Sequence, residues 1–216
     1  MILPSKTIAN LFPIPVWRLN LTEPLEKDGV TFNDLQESAY QLKEQQETKV
    51  ILKSGRHSYQ SGDLHRNKTP LPLQKALQLV DHVANTIYRQ QWKGRIGILN
   101  TWININGPGS YNIRHTHPMS KFSGVFWIKS VEDHPKLVFD EYDYAAFNRG
   151  SVGFLRDENA NNEIINSRYF MKPNMGDMMM FPSHLPHYVD ENRTDVDRIS
   201  CSFNLGWVRM TDEEEE

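Results

Sequence analysis

The chain has 216 residues, of which 38% are hydrophobic and 24% are charged, a composition that excludes a disordered or fibrous protein. Its only cysteine, Cys201, excludes an intrachain disulfide framework and a cysteine-based zinc cluster. The formal net charge is −3, but the run Asp212–Glu216 alone carries five negative charges, so the rest of the chain sums to +2. A body so close to neutral disfavours nucleic acid as a partner.

The sequence also bears on the compartment in which the protein works. No apolar run approaches the roughly 18 residues of a membrane-spanning helix. The first residues lack the charged segment and long apolar core of a secretory signal, and a single cysteine suits a reducing environment. We therefore expect a cytoplasmic protein without a membrane partner.

The first part of the chain predicts helices and an edge strand. The prolines within 11–17 favour an edge strand, because proline cannot donate hydrogen bonds to both neighbouring strands. Asn33, with Gln36 three residues later, predicts the start of a helix. A stronger helix is predicted from about Pro72 to Tyr88, where apolar residues recur at i, i+3, i+4 and i+7.

From Ile96 onward the apolar residues recur with period two, which is typical of strands. Short strands separated by Gly, Pro and Asn turns predict a jelly roll that the preceding helices support. The strand candidates after the first are 122–129, 136–140, 151–155, 164–171, 177–181, 186–190 and 198–207. We expect one domain over residues 1–216, with helical support and edge strands in 1–95, a β core in 96–208 and a solvated acidic tail in 209–216.

Three of the eight histidines have the spacing of metal ligands. His115 and His117 are two residues apart, so in an extended segment both side chains project to the same side. His187 opens another predicted strand. Two ligands from one segment and a third from a distant strand leave one face of an octahedral ion open for a cosubstrate and oxygen. Read alone, His-x-His is more typical of surface or hydrogen-bonding histidines.

The last predicted strand has one apolar and one polar face, and the polar face begins with Arg198. If that face lines the lumen of a barrel, Arg198 can bind a carboxylate bidentately and Ser200 can add a hydrogen bond. The alternative is a solvent-facing polar side on which Arg198 forms a surface ion pair. The joint presence of His-x-His, a distant histidine and Arg-x-Ser favours the lumen.

These segments resemble the Fe(II)/2-oxoglutarate-dependent oxygenases, in particular a bacterial and phage group related to the prolyl hydroxylases. The resemblance extends from 11–16 to 204–207, and its most specific segments are 115–118, 123–127, 176–187 and 198–200. It implies a mainly β fold with supporting helices (α+β), namely a double-stranded β-helix or cupin-like jelly roll. It also implies an enzyme that uses Fe(II), 2-oxoglutarate and oxygen to hydroxylate a C–H bond, with release of succinate and CO2. The substrate class that it suggests is a prolyl residue or a small metabolite.

The resemblance assigns site residues one by one, and it implies no catalytic residue beyond the metal centre. His115 and His187 match the iron ligands, and Arg198, with Ser200 beside it, matches the site for the distal carboxylate of 2-oxoglutarate. Further cosubstrate contacts follow from the positions at which prolyl hydroxylases place a Thr and a Tyr, and from the strand before the iron motif. These contacts are Ser123, Trp127 and Asn104.

The sequence departs from the superfamily at His117, where a carboxylate is usual. Three histidines can hold the metal, a carboxylate such as Asp140 can complete the site, or His117 can lie behind the ligands with two histidines sufficing. Two other functions stay open for the chain as a whole. One is a cupin-like metal-binding protein that does not use 2-oxoglutarate, and the other is a non-catalytic jelly-roll binding module.

Overall fold

The structure is a computed structural model that describes residues 14–45, 55–64, 69–140 and 168–208. The predicted strand at 151–155 and the acidic tail lie outside these residues. The helices are α1 (Thr22–Lys27), α2 (Phe32–Gln45) and α3 (Leu71–Arg89). The strands are β1 (Trp17–Asn20), β2 (Gly55–Arg56), β3 (Tyr59–Gln60), β4 (Ile96–Asn106), β5 (Tyr111–His115), β6 (Phe122–Lys129), β7 (Leu137–Asp140), β8 (Arg168–Met171), β9 (Asp177–Pro182), β10 (His187–Val189) and β11 (Arg198–Trp207).

The strands form two antiparallel sheets that pack against each other. The larger sheet has the order β1-β9-β6-β11-β4-β3, and the smaller has the order β2-β5-β10-β7-β8. Apolar side chains of both sheets meet between them, with Trp127 and Phe181 from the larger sheet and Leu137 and Phe139 from the smaller. This arrangement confirms the predicted jelly roll with supporting helices.

The larger sheet has a second apolar face, which is covered by the helices. Helices α2 and α3 pack on this face, and the side chains below them come from alternate positions such as Ile103 of β4 and Phe203 of β11. Helix α3 matches its predicted span closely. Among the helices that the structure describes, none is both long enough and apolar enough to cross a bilayer.

The period-two pattern of β4 and β11 therefore separates two environments. One set of side chains packs under the helices, and the alternate polar set, with Asn104 and Arg198, points between the two sheets. Cys201 belongs to the helix-facing set and is 3% exposed. Burial raises the pKa of its thiol to about 12, so it is a protonated core side chain.

The start of α2 differs from the prediction. The helix begins at Phe32, and Thr31 rather than Asn33 caps it. The backbone N–H of Asp34 donates to Thr31 Oγ1 (3.2 Å), and the backbone N–H of Thr31 donates to Asp34 Oδ2 (3.0 Å). This reciprocal pair satisfies two otherwise free N–H groups at the start of the helix, two residues before the predicted cap at Asn33.

The N-terminal edge strand lies further along the chain than predicted. Strand β1 begins at Trp17 and, among the described strands, pairs with β9 alone, at the edge of the larger sheet. Residues 14–16 are not part of a strand, and 11–13 lie outside the described part of the chain. Pro15 lacks a backbone N–H, so regular pairing begins after it.

Candidate active site

Two of the three predicted metal ligands face each other across neighbouring strands. His187 of β10 pairs with His115 of β5 in the smaller sheet, and their rings lie 4.4 Å apart between centroids. Each Nδ1–H donates to the backbone carbonyl two residues earlier, at 2.7 Å for His115 and 3.0 Å for His187. A carbonyl can only accept, so these bonds fix the tautomer and leave Nε2 with a free lone pair for a metal ion.

His117 completes the cluster from the segment that follows β5. Its backbone N–H donates to the carbonyl of Ser183 (2.9 Å), which ties this segment to the turn between β9 and β10. Its Nε2 lies 3.2 Å from Nε2 of His187, and the nearest ligand atoms of all three histidines lie within 4.8 Å of one another. Metal–nitrogen bonds of about 2.1 Å place neighbouring ligands of an octahedral ion roughly 3 Å apart, so this spacing fits a shared metal.

Burial keeps two histidines of the cluster, His115 and His187, neutral. His187 is 5% exposed, and desolvation, with the adjacent His115 as the next cause, lowers its pKa to about 3. Desolvation also lowers the pKa of His115. A metal binds the deprotonated imidazole, so near pH 7 neither ring has to lose a proton before it coordinates.

Asp140, the carboxylate considered as an alternative ligand, faces the other way. Phe139 pairs with His187 in the sheet, so the next residue on β7 projects to the opposite face. There Asp140 forms ion pairs with Arg114 and Arg168, each at 3.0 Å. These residues line a separate groove of about 900 Å³ that contains none of the three histidines.

Arg198 lies in the same cavity as the histidine cluster and is 4% exposed. Its Nη2 donates to Asn106 Oδ1 (3.1 Å), directly across the β4–β11 pair. Its Nε has no acceptor among the described residues, and within them no carboxylate lies within 4.0 Å of the guanidinium. Burial lowers the pKa of Arg198 to about 10, which still leaves it charged at neutral pH.

A buried cation without a counterion is costly, because it loses its hydration and gains no partner. The alternative interpretation, in which Arg198 forms a surface ion pair, is wrong because the side chain is buried. The arrangement suits an anionic ligand that enters the cavity and supplies the missing charge and acceptors.

Most of the predicted site residues line this one cavity. Ser123 does not, because it lies at the buried end of β6, where its hydroxyl donates to Asn204 Oδ1 (2.7 Å) and pairs with Ser183 (2.8 Å). The cavity also contains residues that the sequence analysis did not select, including Trp102, whose ring lies 6.0 Å from that of His117, and Asn106. The predicted residues that line it are Asn104, His115, His117, Trp127, His187, Arg198 and Ser200.

Asn106 was missed although a signal for it exists. It follows Asn104 by two residues and so shares its polar face. Its importance depends on the register that pairs it with Arg198, and this register is set by tertiary structure.

Comparison with known proteins identifies a family for this site. A family profile described as "Putative 2OG-Fe(II) oxygenase" matches residues 100–204, a span that includes the histidine cluster and Arg198. No curated protein matches the chain.

Solved structures with the same fold are numerous but distant in sequence. A prolyl-4-hydroxylase from Pseudomonas putida is 12% identical, with a TM-score of 0.61 over 91% of this chain and 94% of that one. A prolyl hydroxylase from Trichoplax adhaerens, solved with a hypoxia inducible factor peptide fragment, is 11% identical, with a TM-score of 0.60 over 88% and 83%. HygX from Streptomyces hygroscopicus, solved with nickel and 2-oxoglutarate bound, is 8% identical, with a TM-score of 0.57 over 92% and 85%.

At these identities the structural matches establish the shared jelly-roll fold, and the family profile indicates the kind of enzyme for the span that it matches. Residues 100–204 are therefore similar to the Fe(II)/2-oxoglutarate-dependent oxygenases, which supports the family and the cofactors that the sequence predicts, and the structural matches confirm the predicted fold.

Proposed function

We propose that His115, His117 and His187 hold Fe(II), and that Arg198 binds the distal carboxylate of 2-oxoglutarate in a reaction that hydroxylates a substrate C–H bond. The observation that carries this proposal is the buried Arg198, which has no counterion among the described residues and lies in the same cavity as the histidine cluster. A ligand with a metal-binding 2-oxo acid at one end and a carboxylate at the other matches both features.

Fe(II) held by these histidines would supply the oxygen activation: one atom of O2 would enter succinate as 2-oxoglutarate loses CO2, and the other would enter the substrate C–H bond. The chain's own residues prepare the site. The Nδ1–H bonds of His115 and His187 orient the rings, and Arg198 neutralises and aligns the cosubstrate. Apolar walls from Trp127 and Phe181 exclude bulk water, which strengthens the electrostatic contact to the carboxylate.

The test is a titration of the protein with 2-oxoglutarate in the presence of Fe(II) and without oxygen. Binding is measured by calorimetry and by the iron-to-cosubstrate charge-transfer band. Removing one partner of a buried pair costs about 3–5 kcal/mol. Arg198→Ala is therefore expected to weaken 2-oxoglutarate at least ~100-fold and to retain Fe(II), with Arg198→Lys intermediate. Ser200→Ala should lose less, about 1–2 kcal/mol for one hydrogen bond to a charged group.

A matched control is Arg18→Ala, which removes an arginine paired with Asp177 at the edge of the larger sheet and should leave cosubstrate affinity unchanged. Unaltered affinity in Arg198→Ala, or no binding of 2-oxoglutarate by the wild type, would overturn the proposal. The cupin-like metal protein would then be the better description.

The substrate is proposed by class. The similarity to prolyl hydroxylases makes prolyl peptides the first candidates, followed by free amino acids and small metabolites. The near-neutral charge of residues 1–211 argues against nucleic acid. A single, buried cysteine is compatible with a reducing compartment, so we place the reaction in the cytoplasm. In a screen of these candidates, the substrate is the compound that raises succinate formation above the background without substrate. If none of the candidates raises succinate formation, the proposed substrate classes are wrong.

A further inference from the structure

A second buried donor lies beside Arg198, on the side chain of Asn106. Asn106 is 1% exposed, and its Oδ1 accepts the hydrogen bond from Arg198 Nη2 (3.1 Å). A guanidinium can only donate, so this bond determines which way the amide is turned. It commits the oxygen to Arg198 and leaves Nδ2 as the free end.

Nδ2 of Asn106 has no acceptor in the part of the chain that the structure describes. The contrast with Asn104, two residues earlier on the same face, is direct, because its Nδ2 donates to Ser202 Oγ (3.0 Å). The backbone carbonyl of Asn106 is also engaged, by Nδ2 of Asn192 (3.0 Å). The side-chain amide is therefore held in place by its neighbours while its own donor is unused.

Among the described residues, Asn106 Nδ2 and Arg198 Nε are the two buried side-chain polar atoms without a partner, and both residues line the cavity of the histidine cluster. Folded proteins rarely leave buried donors unsatisfied. Two such donors on directly paired residues of neighbouring strands match a ligand group that offers two acceptor oxygens with negative charge.

We propose that Asn106 is a cosubstrate-binding residue, whose Nδ2 donates to the same carboxylate of 2-oxoglutarate that Arg198 binds. Its Oδ1 meanwhile holds the guanidinium in position. This inference rests on the proposed function, since it concerns the same anion. It adds a neutral donor to the carboxylate site and makes that site a two-residue fork built across β4 and β11.

The experiment measures 2-oxoglutarate affinity by calorimetry on the Fe(II)-loaded protein without oxygen. A hydrogen bond to a charged group contributes enough that Asn106→Ala should weaken binding about 10- to 100-fold. The second ligand is 2-oxopentanoate, in which a methyl group replaces the distal carboxylate. Its affinity should change less than about 3-fold in the same variant, because the lost donor has no carboxylate to bind there.

A double-mutant cycle separates direct contact from an effect through Arg198. In the Arg198→Lys background, Asn106→Ala should weaken 2-oxoglutarate at least a further ~3-fold if Nδ2 contacts the carboxylate. No further loss there, equal losses for both ligands, or unchanged affinity in the single variant would overturn the assignment. Wild-type protein that does not bind 2-oxoglutarate would instead refute the proposed function.

The matched control is Asn85→Ala, since Asn85 is a partly buried asparagine whose amide bonds Asp81 and the backbone N–H of Ile96 on the helix side of the larger sheet. Its variant should bind both ligands as the wild type does. If Asn106→Ala does not fold, as judged by circular dichroism, Asn106→Ser takes its place, and the same affinity ratios decide.

Discussion

Replacing Arg198 and Asn106 together by apolar residues, as Arg198→Met with Asn106→Leu, is expected to stabilise the ligand-free protein and to abolish 2-oxoglutarate binding. Burial lowers the pKa of Arg198 from 12.5 to about 10, and each pKa unit corresponds to about 1.4 kcal/mol. Burying this charge therefore costs roughly 3 kcal/mol.

The amide of Asn106 adds an unsatisfied donor, which costs about 1–3 kcal/mol. The double variant avoids both of these costs, but it loses the hydrogen bond between the two residues, which contributes about 1 kcal/mol. Imperfect packing of the new apolar side chains offsets part of the remaining gain in stability. We expect a net gain of about 2 kcal/mol, within the range found when buried ionic groups are replaced by apolar ones.

The assay is urea denaturation of the metal-free protein, followed by thermal unfolding with Fe(II) and 2-oxoglutarate under nitrogen. The wild type should gain thermal stability from the ligands by mass action, whereas the double variant should gain only what the metal supplies. Arg198→Met alone should be less stable than the double variant, because it leaves the Asn106 amide with neither partner. A double variant that is less stable than the wild type by more than about 1 kcal/mol would show that the pair stabilises the empty site, and would refute the reasoning.

Three further predictions concern the rest of the chain. Alanine at any one of the three clustered histidines should remove most of the Fe(II) affinity, measured by anaerobic calorimetry, while the protein stays folded. Wild-type Fe(II) affinity in His117→Ala would show that His117 is not a metal ligand, whereas tighter Fe(II) binding in His117→Asp would show that this position belongs to the metal site. Gly124→Ala should destabilise by about 1–3 kcal/mol in urea denaturation, because a Cβ would overlap the buried ring of Phe203 and the carbonyl of Met179; a variant as stable as the wild type would mean that the strand can shift. Cys201 should resist a thiol reagent at pH 8 and react only on unfolding, because burial raises its thiol pKa to about 12 and the thiolate is the reactive form; fast labelling of the native protein would contradict its place in the core.

The sequence alone determined those features that depend on neighbours in the chain. The 3.6-residue period of α3 and the two-residue period of β4 and β11 are local, because each follows from how successive side chains project from one backbone. The metal-ligand spacing at His115 and His117 is local in the same sense. Strands of two residues, such as β2, were not predicted, because they are too short to show a period.

What only the tertiary structure decided depends on cross-strand register. The sequence left Arg198 on either a solvent-facing or a lumen-facing strand face, and it left Asp140 as a possible ligand. The pairing of Phe139 with His187 turns Asp140 outward, toward Arg114. The pairing of Arg198 with Asn106 buries both and leaves a donor on each without a partner in the part of the chain that the structure describes. Period two says which residues share a face, but a shift of one residue between strands exchanges the faces that meet. The chemistry of the site is therefore set by contacts between residues that are distant in the chain.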